Sequence, residues 1–251
     1  MNTPHIPETH DSHWLAVRHG VLAGLAMLAL LAPPGILGPG GALASAPVRV
    51  LPQATAVRSA DLGGVEVSDD ARLMARWIAS TGDHTAMPFV LIDKRAARLY
   101  VFDAQARLVD NTAVLLGSAP GDDSVPGIGD KPIADVLPEE RTTPAGRFAG
   151  QRGLNLDGED VVWVDYDAAV SMHRVRANNP KERRLERLAS DTADDNRISY
   201  GCINIPASFF DAHIATTFAN QRAMVYVLPE QKSLQTVFGV PSQGHLAQMI
   251  Q

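Results

Sequence analysis

From Phe89 onward the chain is cut into short runs of β-branched and aromatic residues, each closed by polar turn residues and too short for a helix. Residues 89–92 (FVLI), 98–102 (RLYVF) and 112–116 (TAVLL) read as strands of a meander, and 161–164, 169–172 and 223–227 read as further strands. One helix precedes this pattern and one interrupts it. Ser68 is an N-cap signal, with Asp69 and Asp70 in the first turn, Leu73, Met74, Trp77 and Ile78 at helical spacing, and Gly82 as a stop. Residues 207–218 place Phe209, Phe210, Ile214 and Phe218 on or near one face. Many short strands with few helices predict a mainly β fold, a sandwich or partly open barrel with a few short helices.

The chain has 251 residues, 45% hydrophobic and 20% charged, enough to bury a core. Its net charge of −6 provides no general basic field for nucleic acid. One cysteine and scattered histidines form no structural zinc pattern. Residues 21–32 (VLAGLAMLALLA) are apolar and uncharged, preceded by Arg18 and followed by Pro/Gly-rich sequence and the small residues 42–46 (ALASA). Residues 1–46 thus read as an export signal, with cleavage after Ala46 or Ala44. An uncleaved anchor is the other reading, because no charge appears before Arg49; Pro33, Pro34 and the following glycines oppose a continuous spanning helix. The expected organisation is a signal over 1–46, a linker and short helix over 47–86, a catalytic domain over 87–230 and a tail over 231–251.

In an exported protein a lone cysteine has no internal disulfide partner. Cys202 sits in 199–204 (SYGCIN), where Gly201 permits a sharp turn and close approach of a carbonyl. A thiol nucleophile needs a base. Of the eight histidines, His5, His10, His13 and His19 precede the cleavage region. His84 precedes the first strand, His245 lies in the tail and His213 is on the later helix; His173 ends an apolar strand, where site residues emerge from a scaffold. Cys202 with His173 is therefore the candidate pair, against a buried cysteine and a satisfied histidine. The loop 117–131 (GSAPGDDSVPGIGDK) lacks a phosphate-loop signature, and its aspartates fit no calcium loop.

The segment 197–204 (RISYGCIN) resembles the signature of the L,D-transpeptidase (YkuD-type) family: Ser or Thr, usually His, then Gly-Cys, a hydrophobic residue, and Asn or Arg. The strand pair FVLIDKRAARLYVFD, the segment 142–148 (TTPAGRF) and the upstream His173 are similar to further elements of that family, in the same order, over roughly 89–228. The resemblance implies a YkuD-like fold, no metal or organic cofactor, and a periplasmic or cell-envelope enzyme acting on donor and acceptor peptidoglycan stem peptides. Cys202 would carry a thioester after D-alanine leaves, and an acceptor amine would complete a 3-3 cross-link. It implies His173 as base, oxyanion donors at Gly201, Tyr200 and Cys202, Ser199 as support of the turn, and Arg197 and Asn204 as substrate-binding residues, Arg197 toward a substrate carboxylate and Asn204 orienting backbone near the site. An L,D-carboxypeptidase, another stem-peptide hydrolase and a non-catalytic peptidoglycan-binding module are the alternatives. Two departures stand out: Tyr200 replaces the usual histidine before Gly-Cys, and the interval between His173 and Cys202 is lengthened by a charged insertion within 174–196. That insertion reads as a solvated helix, or as a lid whose arginines meet substrate carboxylates.

Overall fold

The computed structural model describes residues 59–241. The expectations about export signal, cleavage and anchor fall outside the described residues, as do the start of the linker and the end of the tail. No helix among the described residues is long and apolar enough to cross a membrane.

Helix α1 (Asp69–Thr81) starts where expected: the Ser68 hydroxyl accepts from the Ala71 N–H, and Gly82 closes the helix at φ 68°. Strands β1 (Phe89–Asp93), β2 (Arg98–Phe102) and β3 (Leu108–Ala113) form the meander, followed by the two-residue β4 (Leu116–Gly117). Then come β5 (Gly146–Leu154), β6 (Asp160–Asp165), β7 (Val170–Arg174), helix α2 (Arg184–Ala189), and β8 (Arg197–Ser199) and β9 (Ile203–Ile205), which flank Cys202. Helices α3 (Ala207–Phe209) and α4 (Ala215–Thr217) are joined by a π-helical segment, Phe210–Ile214, into one continuous helix. Strand β10 (Ala223–Val227) and helix α5 (Leu234–Phe238) complete the chain.

Eight strands form one sheet in the order β3-β2-β1-β10-β5-β6-β7-β9, and β4 pairs with β8. The two edges approach each other: Leu115, just past β3, exchanges both backbone hydrogen bonds with Asn204 of β9, each 2.9 Å. The sheet is thereby nearly closed, the partly open barrel expected from the strand pattern. Val90, Ile92, Leu99 and Val101 face an inner core with Val162, Met172, Ile203, Phe210, Ile214 and Val225. Phe89, Leu91, Tyr100 and Phe102 face outward, where Met74 and Ile78 of α1 and Leu234 cover them. Both faces of β1 are buried, which is why FVLI is continuously apolar rather than alternating.

Two expectations are corrected. The third run is not a strand over 112–116: β3 ends at Ala113, and Val114, Leu115 and Leu116 are fully buried as the chain crosses the seam. Strand β3 is polar because it lies at the sheet edge, while the apolar crossing belongs to the core. Strand β5, the longest, was not expected, since GRFAGQRGL carries three glycines and two arginines. Pairing with β10 on one side and β6 on the other overrides that weak propensity.

A buried cation ties the loops to this frame. Lys94, the residue just past β1, is fully buried; its ammonium donates to Asp122 Oδ1 (2.8 Å), to the Thr143 carbonyl (2.9 Å) and to the Gly121 carbonyl. Asp122 also accepts from the N–H groups of Glu230 (2.8 Å), Gln231 (2.9 Å) and Lys232 (2.6 Å). Burial alone would raise the Asp122 carboxyl, but the Lys94 ammonium and these three amides outweigh it and lower it to about 2. Lys94→Met leaves Asp122 buried without its cation, and a loss of about 3–5 kcal/mol is expected in urea unfolding; Lys94→Met/Asp122→Leu should recover most of it. Because the folded-state value lies below the ordinary 3.8, the stabilisation from Asp122 is present above that value and lost as pH falls through about 2. Asp122→Asn should flatten that acid limb; an unchanged limb would contradict the assignment.

Candidate active site

Parallel pairing of β7 with β9 builds the site. Met172 lies beside Ile203 and His173 beside Asn204; one step earlier in the same register brings Ser171 beside Cys202. Residues two apart on a strand share a face, so Ser171, His173, Cys202 and Asn204 cluster on one side. The half-buried Cys202 Sγ contacts the Ser171 hydroxyl at 3.7 Å and the Ala169 carbonyl at 3.6 Å. Ala169 holds φ 53°, an uncommon conformation for a residue with a side chain, in the turn that launches β7.

His173 Nδ1 lies 2.8 Å from the Arg174 carbonyl, and Asn204 Nδ2 lies 3.2 Å from Nε2. Burial by itself would lower the imidazole and raise the thiol. Hydrogen bonding and charge attraction between the two side chains prevail, so the imidazole is raised and the thiol lowered; Ser171 also lowers the thiol. The proton is thus biased from sulfur toward nitrogen, the condition for a nucleophilic thiolate.

The turn at the thiol rests on two hydroxyls. Ser199 Oγ accepts from the Gly201 N–H (3.1 Å) and donates to the Cys202 carbonyl (2.6 Å). Thr143, fully buried, donates to the Gly201 carbonyl (2.8 Å) and accepts from the Gly117 N–H (2.8 Å). Gly201 itself has φ 127°, and a Cβ there would meet the Thr142 carbonyl oxygen at 2.8 Å, so only glycine fits.

Several sequence-predicted residues lie elsewhere than expected. The Gly201 N–H is taken by Ser199, which leaves the N–H groups of Cys202 and Tyr200 as candidate oxyanion donors. Arg197 is not directed at the thiol: its guanidinium pairs with Glu230 and donates to the Lys94 carbonyl at 2.9 Å. Tyr200, where the family pattern has histidine, is 42% exposed, and the Arg141 guanidinium stacks 4.0 Å from its ring centroid. Asn204 is nearly fully buried and contacts His173 directly, a firmer role than a turn or cap. The charged insertion is only partly a solvated helix. Arg187 is turned inward to the carbonyls of Glu182 and Asp195, and Arg184 to Asn204 and Glu182.

Ser171, Thr143 and Arg184 are the site residues that sequence reasoning missed. Ser171 was signalled by its position two before His173, and Thr143 by the Thr-Pro segment; nothing local marks Arg184. Beside Ala169 opens a groove of about 560 Å³ lined by Gly127, Gly129, Asp130, Leu154, Trp163 and Tyr166 among others. The loop 117–131 contributes one wall of this groove and is anchored at Gly121 and Asp122 by Lys94. No cluster of three His, Cys, Asp or Glu side chains suited to a metal ion occurs among the described residues.

No family model and no curated protein sequence matches this chain. Solved structures are similar to it. One is the helical cell shape determining protein Pgp2 from Campylobacter jejuni, 16% identical over 59% of this chain and 49% of that one, at a TM-score of 0.39. The catalytic domain of the E. faecium L,D-transpeptidase is 17% identical, covering 58% of this chain and 99% of that one, at 0.32. An L,D-transpeptidase from Xylanimonas cellulosilytica is 14% identical, covering 57% and 60%, at 0.36. The match to Pgp2 spans about half the length of that protein.

In His173→Gln, the pH midpoint of Cys202 alkylation by iodoacetamide should move up, and the rate at neutral pH should fall on the order of tenfold. An unchanged midpoint would show that the imidazole does not govern the thiol. Thr143→Val leaves the buried Gly117 N–H without an acceptor and should cost about 1–3 kcal/mol in denaturant unfolding, with Thr143→Ser close to wild type.

Proposed function

We propose that this chain is an exported, cysteine-dependent acyltransferase acting on peptidoglycan stem peptides in the cell envelope. The observation that carries the reading is the Cys202 thiol, half-buried on the β7–β9 face, with its proton affinity lowered chiefly by the facing His173. The motif resemblance supports the substrate class, and the export signal read in residues 1–46 supports the compartment.

His173 takes the proton from Cys202, and the thiolate attacks the carbonyl of the third stem residue. The developing oxyanion is met by the N–H groups of Cys202 and Tyr200, each worth about 3–4 kcal/mol in acyl-transfer sites generally. The tetrahedral intermediate collapses, the bond to D-alanine breaks, and the imidazolium returns its proton to the leaving amine. A thioester remains on Cys202. An amine of a second stem attacks it to form the 3-3 cross-link and regenerate the thiol; water in its place yields a tripeptide. The groove of about 560 Å³ reaches Ala169, whose carbonyl lies 3.6 Å from the thiol, and so offers a place for substrate near the site. A peptidoglycan-binding module would have no use for a thiol activated in this way.

Incubation of the mature protein and its Cys202→Ala variant with disaccharide tetrapeptide, followed by product mass analysis, tests this reading. A cross-linked dimer with released D-alanine, absent in the variant, is expected. Tripeptide alone would make the enzyme an L,D-carboxypeptidase. No turnover, and no adduct on Cys202 after carbapenem treatment of the folded protein, would overturn the acyltransferase in favour of a binding role.

A further inference from the structure

The insertion between β7 and β8 sends one side chain back into the site. Arg184 opens α2 with only 14% of its side chain exposed; Nη1 donates to Asn204 Oδ1, and Nε donates to Glu182 Oε2 at 2.5 Å. A guanidinium has donors only, so the Asn204 atom that meets it must be the carbonyl oxygen. The amide nitrogen is thereby turned to His173 Nε2, 3.2 Å away. Across the ring, Nδ1 faces the Arg174 carbonyl, which can only accept. Both contacts select the same neutral imidazole: hydrogen on Nδ1, lone pair on Nε2.

We propose that Arg184 is a positioning residue for His173, which through Asn204 holds the imidazole in its Nδ1–H tautomer and opposes protonation of Nε2. The proposal rests on reading His173 as the base that serves Cys202. Two effects act in the same direction. A proton on Nε2 would face the Asn204 amide donor to donor, and turning the amide over to present Oδ1 would strip Arg184 of its acceptor. The guanidinium also places a like charge near the imidazolium, which lowers the imidazole against the upward pull of Cys202. The titratable and charged groups facing the ring are Cys202, in the turn before β9, and Arg184, at the start of α2, with Glu182 paired behind Arg184. The Arg174 guanidinium is turned away, to Asp160 and Asp211. The chemical consequence is a base that receives the thiol proton at Nε2 and readily passes it to the leaving amine.

The test is NMR of the imidazole nitrogens in the full chain, titrated across neutral pH. Wild type should show a single Nδ1–H tautomer in the neutral form. In Arg184→Met the tautomers should mix and the His173 midpoint should rise, while Arg184→Lys, which keeps a charge and a donor, should restore both. A wild-type tautomer and midpoint in folded Arg184→Met would overturn the proposal. Should that variant fail to fold, Arg184→Gln keeps an N–H donor and drops the charge; its midpoint must still rise, and an unchanged one overturns the proposal equally. Cys202→Ser separates the two readings: a His173 midpoint that does not fall on losing the thiol defeats the Cys202–His173 pairing, whereas the tautomer comparison judges Arg184 independently.

Discussion

The ammonium of Lys94 is the point on which the geometry around the thiol converges. Its three acceptors belong to the loop after β4 and to the segment before β5, and the Asp122 carboxylate passes the constraint to the amides after β10. Glu230, 3.6 Å from the same ammonium, holds Arg197 at the start of β8. Thr143, whose carbonyl accepts from Lys94, presents its hydroxyl to the Gly201 carbonyl, one residue from Cys202. A buried ion of this kind is costly unless fully paired, and here every part of the pairing also positions a loop.

The near-closure of the sheet explains why the site is at Asn204. Its backbone spans the seam to Leu115 and its side chain reaches across to His173, so one residue both bridges the two sheet edges and contacts the candidate base. Strain collects in the same region. Ala169 and Gly201 both have positive φ, and their carbonyls meet the thiol and Thr143 respectively. Such conformations persist only where surrounding contacts over-determine them. The hydroxyls of Ser199 and Thr143 provide those contacts around Gly201.

Where the strands carried their own apolar run, as in β1, β2, β6 and β10, the sequence pattern located them within a residue or two. It failed at β5 and β3, since neither strand's composition reflects its place: one is central but rich in glycine and arginine, the other polar because it lies at an edge. The site shows the same division. Cys202, His173 and the Ser199–Gly201 turn were legible from a short motif and a strand end. Arg197 and the Gly201 amide were assigned by position alone, and both proved to be engaged by partners distant or unforeseen: Glu230 for one, a hydroxyl two residues away for the other. The insertion looked solvated because charged residues dominate it, yet Arg184 and Arg187 bury their guanidinium groups against oxygens.

By itself the sequence determined the mainly β character, the bounds of α1, and a glycine-preceded thiol as the candidate nucleophile, because each depends on local periodicity, capping or chain flexibility. Only the tertiary structure decided which groups surround that thiol. The β7–β9 register brought Ser171 to it and His173 to the neighbouring Asn204, each from 31 residues away, the Leu115–Asn204 bridge joined the sheet edges beside it, and Lys94 drew three separate loops onto one charge. These pairings join residues far apart in the chain, and their energies come from burial and hydrogen-bond geometry that exist only once the sheet has formed.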